Sequence, residues 1–189
     1  PLWAERDRLM NLSSPYATFE QFLDHWDGVR LVTLKLLAVF GNRDLDYRLV
    51  PGWRTVGEIF HHIGGHQFYG CRGILLGRWK PLPGEADENW EAHQAAHIHS
   101  VEKLHQWLFS VQQLVRVWAG QASETALADF RKDNPWHEGM RGCLQLNHAY
   151  QDELHHRGQL YAIARLLGKT PPEVNVEEYP EFWDQRKWK

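Results

Sequence analysis

The sequence predicts an all-α protein with four long helices around one core, and three observations carry that reading. Apolar residues recur at steps of three and four in four separate stretches, no stretch alternates at period two for long enough to suggest a sheet, and capping residues or glycines punctuate the stretches. The chain has 189 residues, 43% of them hydrophobic, which is ample for one core and short for two. Residues 1–189 are therefore expected to form a single bundle domain.

The first predicted helix covers about residues 18–40. Thr18 and Gln21 read as a capping box, Phe22, Trp26, Val29, Thr33, Leu36 and Leu37 approximate a core stripe, and Gly41-Asn42 stops it. A short connection through Pro51-Gly52 leads to the second helix, 55–78, opened by the capping pair Thr55 and Glu58. Its stripe is Val56, Ile59, Phe60, Ile63 and Ile74. Gly57, Gly64, Gly65, Gly70 and Gly73 each weaken it by up to ~1 kcal/mol relative to alanine, so its backbone is expected to lie tight against a neighbour. The third helix, 100–119, has the cleanest seam: Val101, Leu104, Leu108, Val111, Val115 and Trp118 follow a Ser100 cap. The fourth, 140–168, ends at Gly168 with Pro171-Pro172 beyond. Longer links, 79–99 and 120–139, join the later helices. The tail 169–189 contains Trp183 and Trp188 and is expected to wrap the bundle or a second subunit, because exposed tryptophans are costly.

Composition excludes several functions. A net charge of -3 without a lysine or arginine run argues against nucleic acid as a partner. Cys71 and Cys143 lack CxxC spacing, which argues against a disulfide framework and a thiolate zinc site and leaves them as small buried side chains. No apolar run reaches the roughly 18 residues of a membrane span, and PLWAERDRLM has no signal-peptide core, so the expectation is a soluble cytoplasmic protein. There is no nucleophile elbow, P-loop or dinucleotide fingerprint.

The anomaly lies in the fourth helix. Gln145, Ala149, Asp152, His156, Leu160, Ile163 and Leu167 share one face, and its apolar members mark that face as buried. Burying Asp152 and His156 unpaired would cost several kcal/mol. A divalent metal resolves that cost, because side chains at i and i+4 converge and a carboxylate and a neutral imidazole are both good ligands. A hydrogen bond from His156 or another buried partner to Asp152 resolves it equally well.

The same helix carries a resemblance. LHHRGQL followed by ARLLGKTPP resembles the last bundle helix of the DinB/YfiT-like metalloenzyme family, in which a His of an HHRGQ or YHRGQ string and the residue four before it are ligands. The resemblance implies His156 and Asp152 as ligands, although most of the family has His at the second place. The related mycothiol-dependent maleylpyruvate isomerases use a carboxylate there. Threading TVGEIFHHI of the second helix onto the family pattern implies His62 as the third ligand. Periodicity places His62 and His66 on a ridge with Ile59 and Tyr69 at the stripe edge, keeps His66 as a competitor, and points His61 away.

What the resemblance further implies is an up-down-down-up bundle with thiol-dependent transferase or isomerase chemistry on a small substrate and a low-molecular-weight thiol; the donor set of two His and one carboxylate is compatible with zinc, nickel, manganese or iron(II). The resemblance also implies a homodimer, which ten tryptophans favour independently. The alternatives are a metal-dependent hydrolase and a non-catalytic, stress-associated metal-binding or dimerisation bundle.

Other residues carry weaker expectations. His148, eight residues before His156 and about 12 Å away along the helix, is too far to share its metal and is assigned to the pocket mouth. His155 flanks the site. His93 and His97 have metal-pair spacing, but no apolar face positions them, so a solvated or dimer-contact role is expected for them as for His99 and His105. Glu153 and Arg157 read as a flank pair worth a few tenths of a kcal/mol. Trp53, Trp79, Trp90 and Trp136 are expected to cap the core or wall a pocket.

Overall fold

The computed structural model describes residues 19–85, 88–122, 130–131 and 140–175. Helix α1 spans Phe19–Leu37, a 3-10 helix follows at Asn42–Asp46, α2 spans Val56–Leu76, α3 Trp90–His97, α4 Val101–Gln121 and α5 Gly142–Leu166. A two-residue antiparallel pair, β1 (Phe130–Arg131) with β2 (Met140–Arg141), precedes α5, with Phe130 opposite Arg141. Thr18, Trp136, Trp183 and Trp188 lie outside the described residues.

The four long helices are those the periodicity predicts, and the caps explain their ends. Thr55 accepts a hydrogen bond from the Glu58 amide (3.2 Å) while the Glu58 carboxylate accepts one from the Thr55 amide (2.6 Å), so two of the first-turn donors are satisfied. Gly77 takes the left-handed conformation (φ 64°) that closes α2, and Ser100 caps α4 through the Lys103 amide at 3.3 Å. The connection 38–55 is longer than expected and buries Leu45 of its 3-10 helix. Within 79–99 lies the unexpected helix α3, which has no buried residue of its own.

α2 packs along both α4 and α5, and α1 packs against the same two helices, which sets α1 and α2 at opposite corners of the bundle. The core between them includes Trp26, Leu36, Phe60, Ile63, Leu108 and Ile163. Beyond α5, the start of the tail stays on the bundle: Lys169 pairs with Asp44 at 2.8 Å and the Tyr161 hydroxyl donates to the Glu173 carbonyl at 3.3 Å. Among the described residues, no helix is long and apolar enough to cross a membrane.

The glycines of α2 act as expected from their crowding. A Cβ at Gly64 or Gly65 would strike the Trp107 or Trp90 ring, one at Gly73 the Trp79 ring, and one at Gly57 the backbone carbonyl of Ile98, whereas Gly70 has ordinary room. Gly57→Ala should therefore destabilise the protein by about 1–3 kcal/mol despite alanine's better helix propensity, because a backbone atom cannot swing aside. A urea midpoint that rises in this variant would show that the corner between α3 and α4 yields freely.

A candidate metal centre between α2 and α5

Glu153 sets how α5 is turned. It is 1% exposed and is not a flank residue: its carboxylate accepts from Trp26 Nε1 (2.8 Å), Arg30 Nη2 (2.9 Å) and Thr33 Oγ1 (2.7 Å), all on α1. Arg157 is also buried and donates to the Val29 carbonyl at 3.3 Å. The expected surface pair of Glu153 and Arg157 is thus corrected, since both side chains face α1. With about 100° between successive helical residues, turning Glu153 towards α1 swings Asp152 towards α2.

There Asp152 meets three histidines. His62 Nε2 lies 3.6 Å from Asp152 Oδ2, and His156 Nε2 lies 3.5 Å from Asp152 Oδ1. The His62 and His156 rings stand perpendicular with centroids 4.9 Å apart. One donor atom from each of His62, Asp152 and His156 fits within 4.8 Å of the others, so these residues could hold a metal ion. His66, the competitor one turn along α2, places Nδ1 2.8 Å from Asp152 Oδ2, but at an angle that falls short of a hydrogen bond. Both atoms are buried and lack a directional partner. A buried carboxylate oxygen left in that condition is costly, and a cation is the partner its charge calls for.

The protonation states suit a cation. Burial, with the Arg54 charge second, pushes the His62 imidazole down to about 4, and burial lowers His156 as well. Burial alone would raise Asp152, but the adjacent His66, His156 and His62 outweigh it and hold the carboxyl below its ordinary value. Two neutral imidazoles and an ionised carboxylate are the forms in which these groups bind metal. His156 Nδ1 donates to Gln159 Oε1 (2.8 Å), which fixes the tautomer and leaves Nε2 with its lone pair on the Asp152 side. Gln159 also donates to His155 Nε2 at 3.1 Å, so the flanking His155 acts through that amide.

One side of the centre is open. A cavity of about 500 Å³ is lined by Gly52, Trp53, Arg54, Ile59, His156 and Gln159. Trp53, expected to cap the core or wall a pocket, walls this one; Arg54 was not anticipated, and Gln159 stood in the HHRGQ string without a role of its own. His148 is exposed and reaches the other side of the centre, with its ring 5.4 Å from His66.

Two further expectations, a solvated or dimer-contact pair of His93 and His97 and a buried Cys143, are corrected. His61, placed off the apolar stripe of α2 by periodicity, is nonetheless 0% exposed, with Nε2 2.9 Å from His93 Nδ1. His93 and His97 are accordingly packed between α2 and α4, against Trp107, because α3 folds back over α2. Burial, with His93 and His97 alongside, pushes the His61 imidazole down to about 3. Cys71 is buried and its thiol is raised far above the usual value by that burial, whereas Cys143 is exposed, contrary to expectation.

Fold and site together define a helical bundle whose facing helices carry His and Asp groups that could hold a metal ion. The chain belongs to the DinB family, whose model matches residues 10–187. Among solved structures it is similar to a DinB-like protein from Bacillus cereus ATCC 10987, with 20% sequence identity and a TM-score of 0.66 over 85% of this chain and 99% of that one. That likeness is one of fold. No curated protein matches the chain.

Proposed function

We propose that this protein is a divalent-metal-dependent enzyme, with the ion held by His62, Asp152 and His156, and that it catalyses a thiol-dependent transfer or isomerisation. The observation that carries the reading is the convergence of three donors from α2 and α5 beside an open cavity that His156 itself lines. A bound divalent ion would supply an open coordination position at which a thiol becomes a thiolate at neutral pH.

The chain's own residues prepare the rest. Asp152 contributes the negative charge, His62 and His156 stay neutral through burial, and Gln159 orients His156. Arg54 brings a fixed positive charge to the cavity, where it favours a substrate carrying an anionic group, and Trp53 offers an aromatic wall. A closed structural centre would have no need of such a cavity, which is why catalysis is preferred to a purely structural metal. Hydrolysis would use the same opening with water in place of the thiol.

Metal analysis tests the ligand set. His156→Ala should lose one equivalent of divalent ion per chain, and His62→Ala should weaken that equivalent by more than the roughly 10–100-fold that follows loss of an orienting partner. Asp152→His should keep it, since imidazole replaces carboxylate at the same position. An unchanged metal content in the His62→Ala, His156→Ala double variant would end the assignment. For the reaction class, a small thiol should perturb the visible spectrum of the cobalt-substituted protein. A spectrum indifferent to every thiol would remove thiol transfer and leave a coordinatively closed centre.

A further inference from the structure

The second histidine cluster lies outside the centre just described and shares no residue with it. His61 projects from α2, while His93 and His97 project from α3 at i, i+4 spacing. Their rings are close: 5.2 Å between His61 and His93, 4.1 Å between His93 and His97, and 6.0 Å between His61 and His97. Trp90 lies 4.5 Å from the His61 ring and Trp107 lies 4.5 Å from the His93 ring, so aromatic walls close the cluster on two sides.

We propose that His61, His93 and His97 form a second metal site, a three-imidazole centre that fastens α3 to the bundle. One ring nitrogen from each can be chosen so that all three lie within 4.8 Å of one another. His61 is fully buried, and its Nε2 lies 2.9 Å from His93 Nδ1, so these two ring nitrogens already converge on one point. His97 Nδ1 donates to the His93 carbonyl at 2.6 Å, which fixes the tautomer with Nε2 unprotonated, the arrangement by which a backbone carbonyl commonly orients a ligating imidazole. His61 is held through its backbone as well, since its carbonyl accepts from Trp107 Nε1 at 3.2 Å.

The fold supplies a reason for such a fastening. α3 is eight residues long and buries none of them fully, and its large apolar contact with the core is Trp90, packed on Gly65 and Tyr69. Its two histidines meeting a buried one from α2 add a second attachment to the core. The donor set names the class of ion. Three neutral nitrogens with no carboxylate suit zinc, copper, nickel or cobalt and disfavour magnesium and calcium, which require oxygen ligands.

The test uses the His62→Ala, His156→Ala variant, so that the first centre is removed, and cobalt(II) as the probe. Tryptophan fluorescence should fall saturably at one equivalent of cobalt, because Trp90 and Trp107 touch the cluster, and magnesium at the same concentration should leave it unchanged. Adding His93→Ala and His97→Ala should remove the response, and His97→Gln alone should weaken it, with circular dichroism showing that each variant keeps its helices. In the unsubstituted protein, zinc should bind at two equivalents per chain. A response that persists without His93 and His97, or no saturable binding in the first variant, overturns the proposal. The two assignments fail separately: a total of one equivalent that is lost on His156→Ala but kept on His93→Ala rejects only the second site, and a total of one equivalent that is kept on His156→Ala but lost on His93→Ala rejects only the first.

Discussion

Replacing Glu153 with leucine should lower the unfolding free energy by about 3–5 kcal/mol, because it leaves Arg30 as a buried charge without its counter-charge. Arg30 is 0% exposed. Its Nη2 donates to Glu153 at 2.9 Å and to Gln67 Oε1 at 2.6 Å, and its Nη1 to the Leu108 carbonyl at 3.3 Å, so neutral oxygens remain but no anion does. Replacing both members, Glu153→Leu with Arg30→Met, should recover most of the loss, since removing a whole buried pair removes its desolvation cost too. Urea unfolding of the two single variants and the double one measures the coupling. A single variant costing under about 1 kcal/mol would mean that water reaches Arg30. The double variant has a second readout: with Glu153 no longer anchored to α1, Asp152 loses its fixed direction, and metal affinity at His62, Asp152 and His156 should fall even where stability returns.

The metal-free protein should lose stability steadily as the pH falls from about 6.5 towards 4, and His61 should carry the largest single share. Burial lowers its folded-state value to about 3 from an ordinary 6.5, with His93, His97 and His62 adding to the shift. Between those values the unfolded chain binds a proton that the folded chain refuses, so folding stability is complete above pH 6.5 and declines below it. The slope is about 1.4 kcal/mol per pH unit for one such group, or up to ~3 kcal/mol by pH 4. His62, lowered to about 4, acts in the same direction but is partly exposed and contributes less. Urea unfolding in a chelator at several pH values, compared with His61→Phe, isolates the share of His61: the variant should show a shallower dependence whatever its absolute stability. Equal slopes would show that His61 takes up its proton in the folded state.

Much of this protein is legible residue by residue. Periodicity finds α1, α2, α4 and α5, and the Thr55–Glu58 box and the Ser100 cap mark where two of them begin, because a helix's buried stripe and first-turn hydrogen bonds are local properties. The crowded glycines of α2 announce a close neighbour. Asp152 and His156 stand out on the α5 stripe for the same reason, as polar groups on an apolar face.

What the sequence by itself leaves undecided is which helix meets which face. His61 reads only as lying off the apolar stripe of α2, and it takes α3, folding back from a link with no apolar stripe, together with Trp107 of α4 to cover it. Glu153 reads as half of a surface pair, and only the approach of Arg30, 123 residues earlier, makes it a buried anchor. Arg54 and Trp53 are loop residues until the connection 38–55 brings them against His156. Helical period fixes a side chain's direction about its own axis, whereas burial, charge pairing and the opening of a cavity depend on a second element, and the sequence records that element only as distant residues with no local mark of the contact.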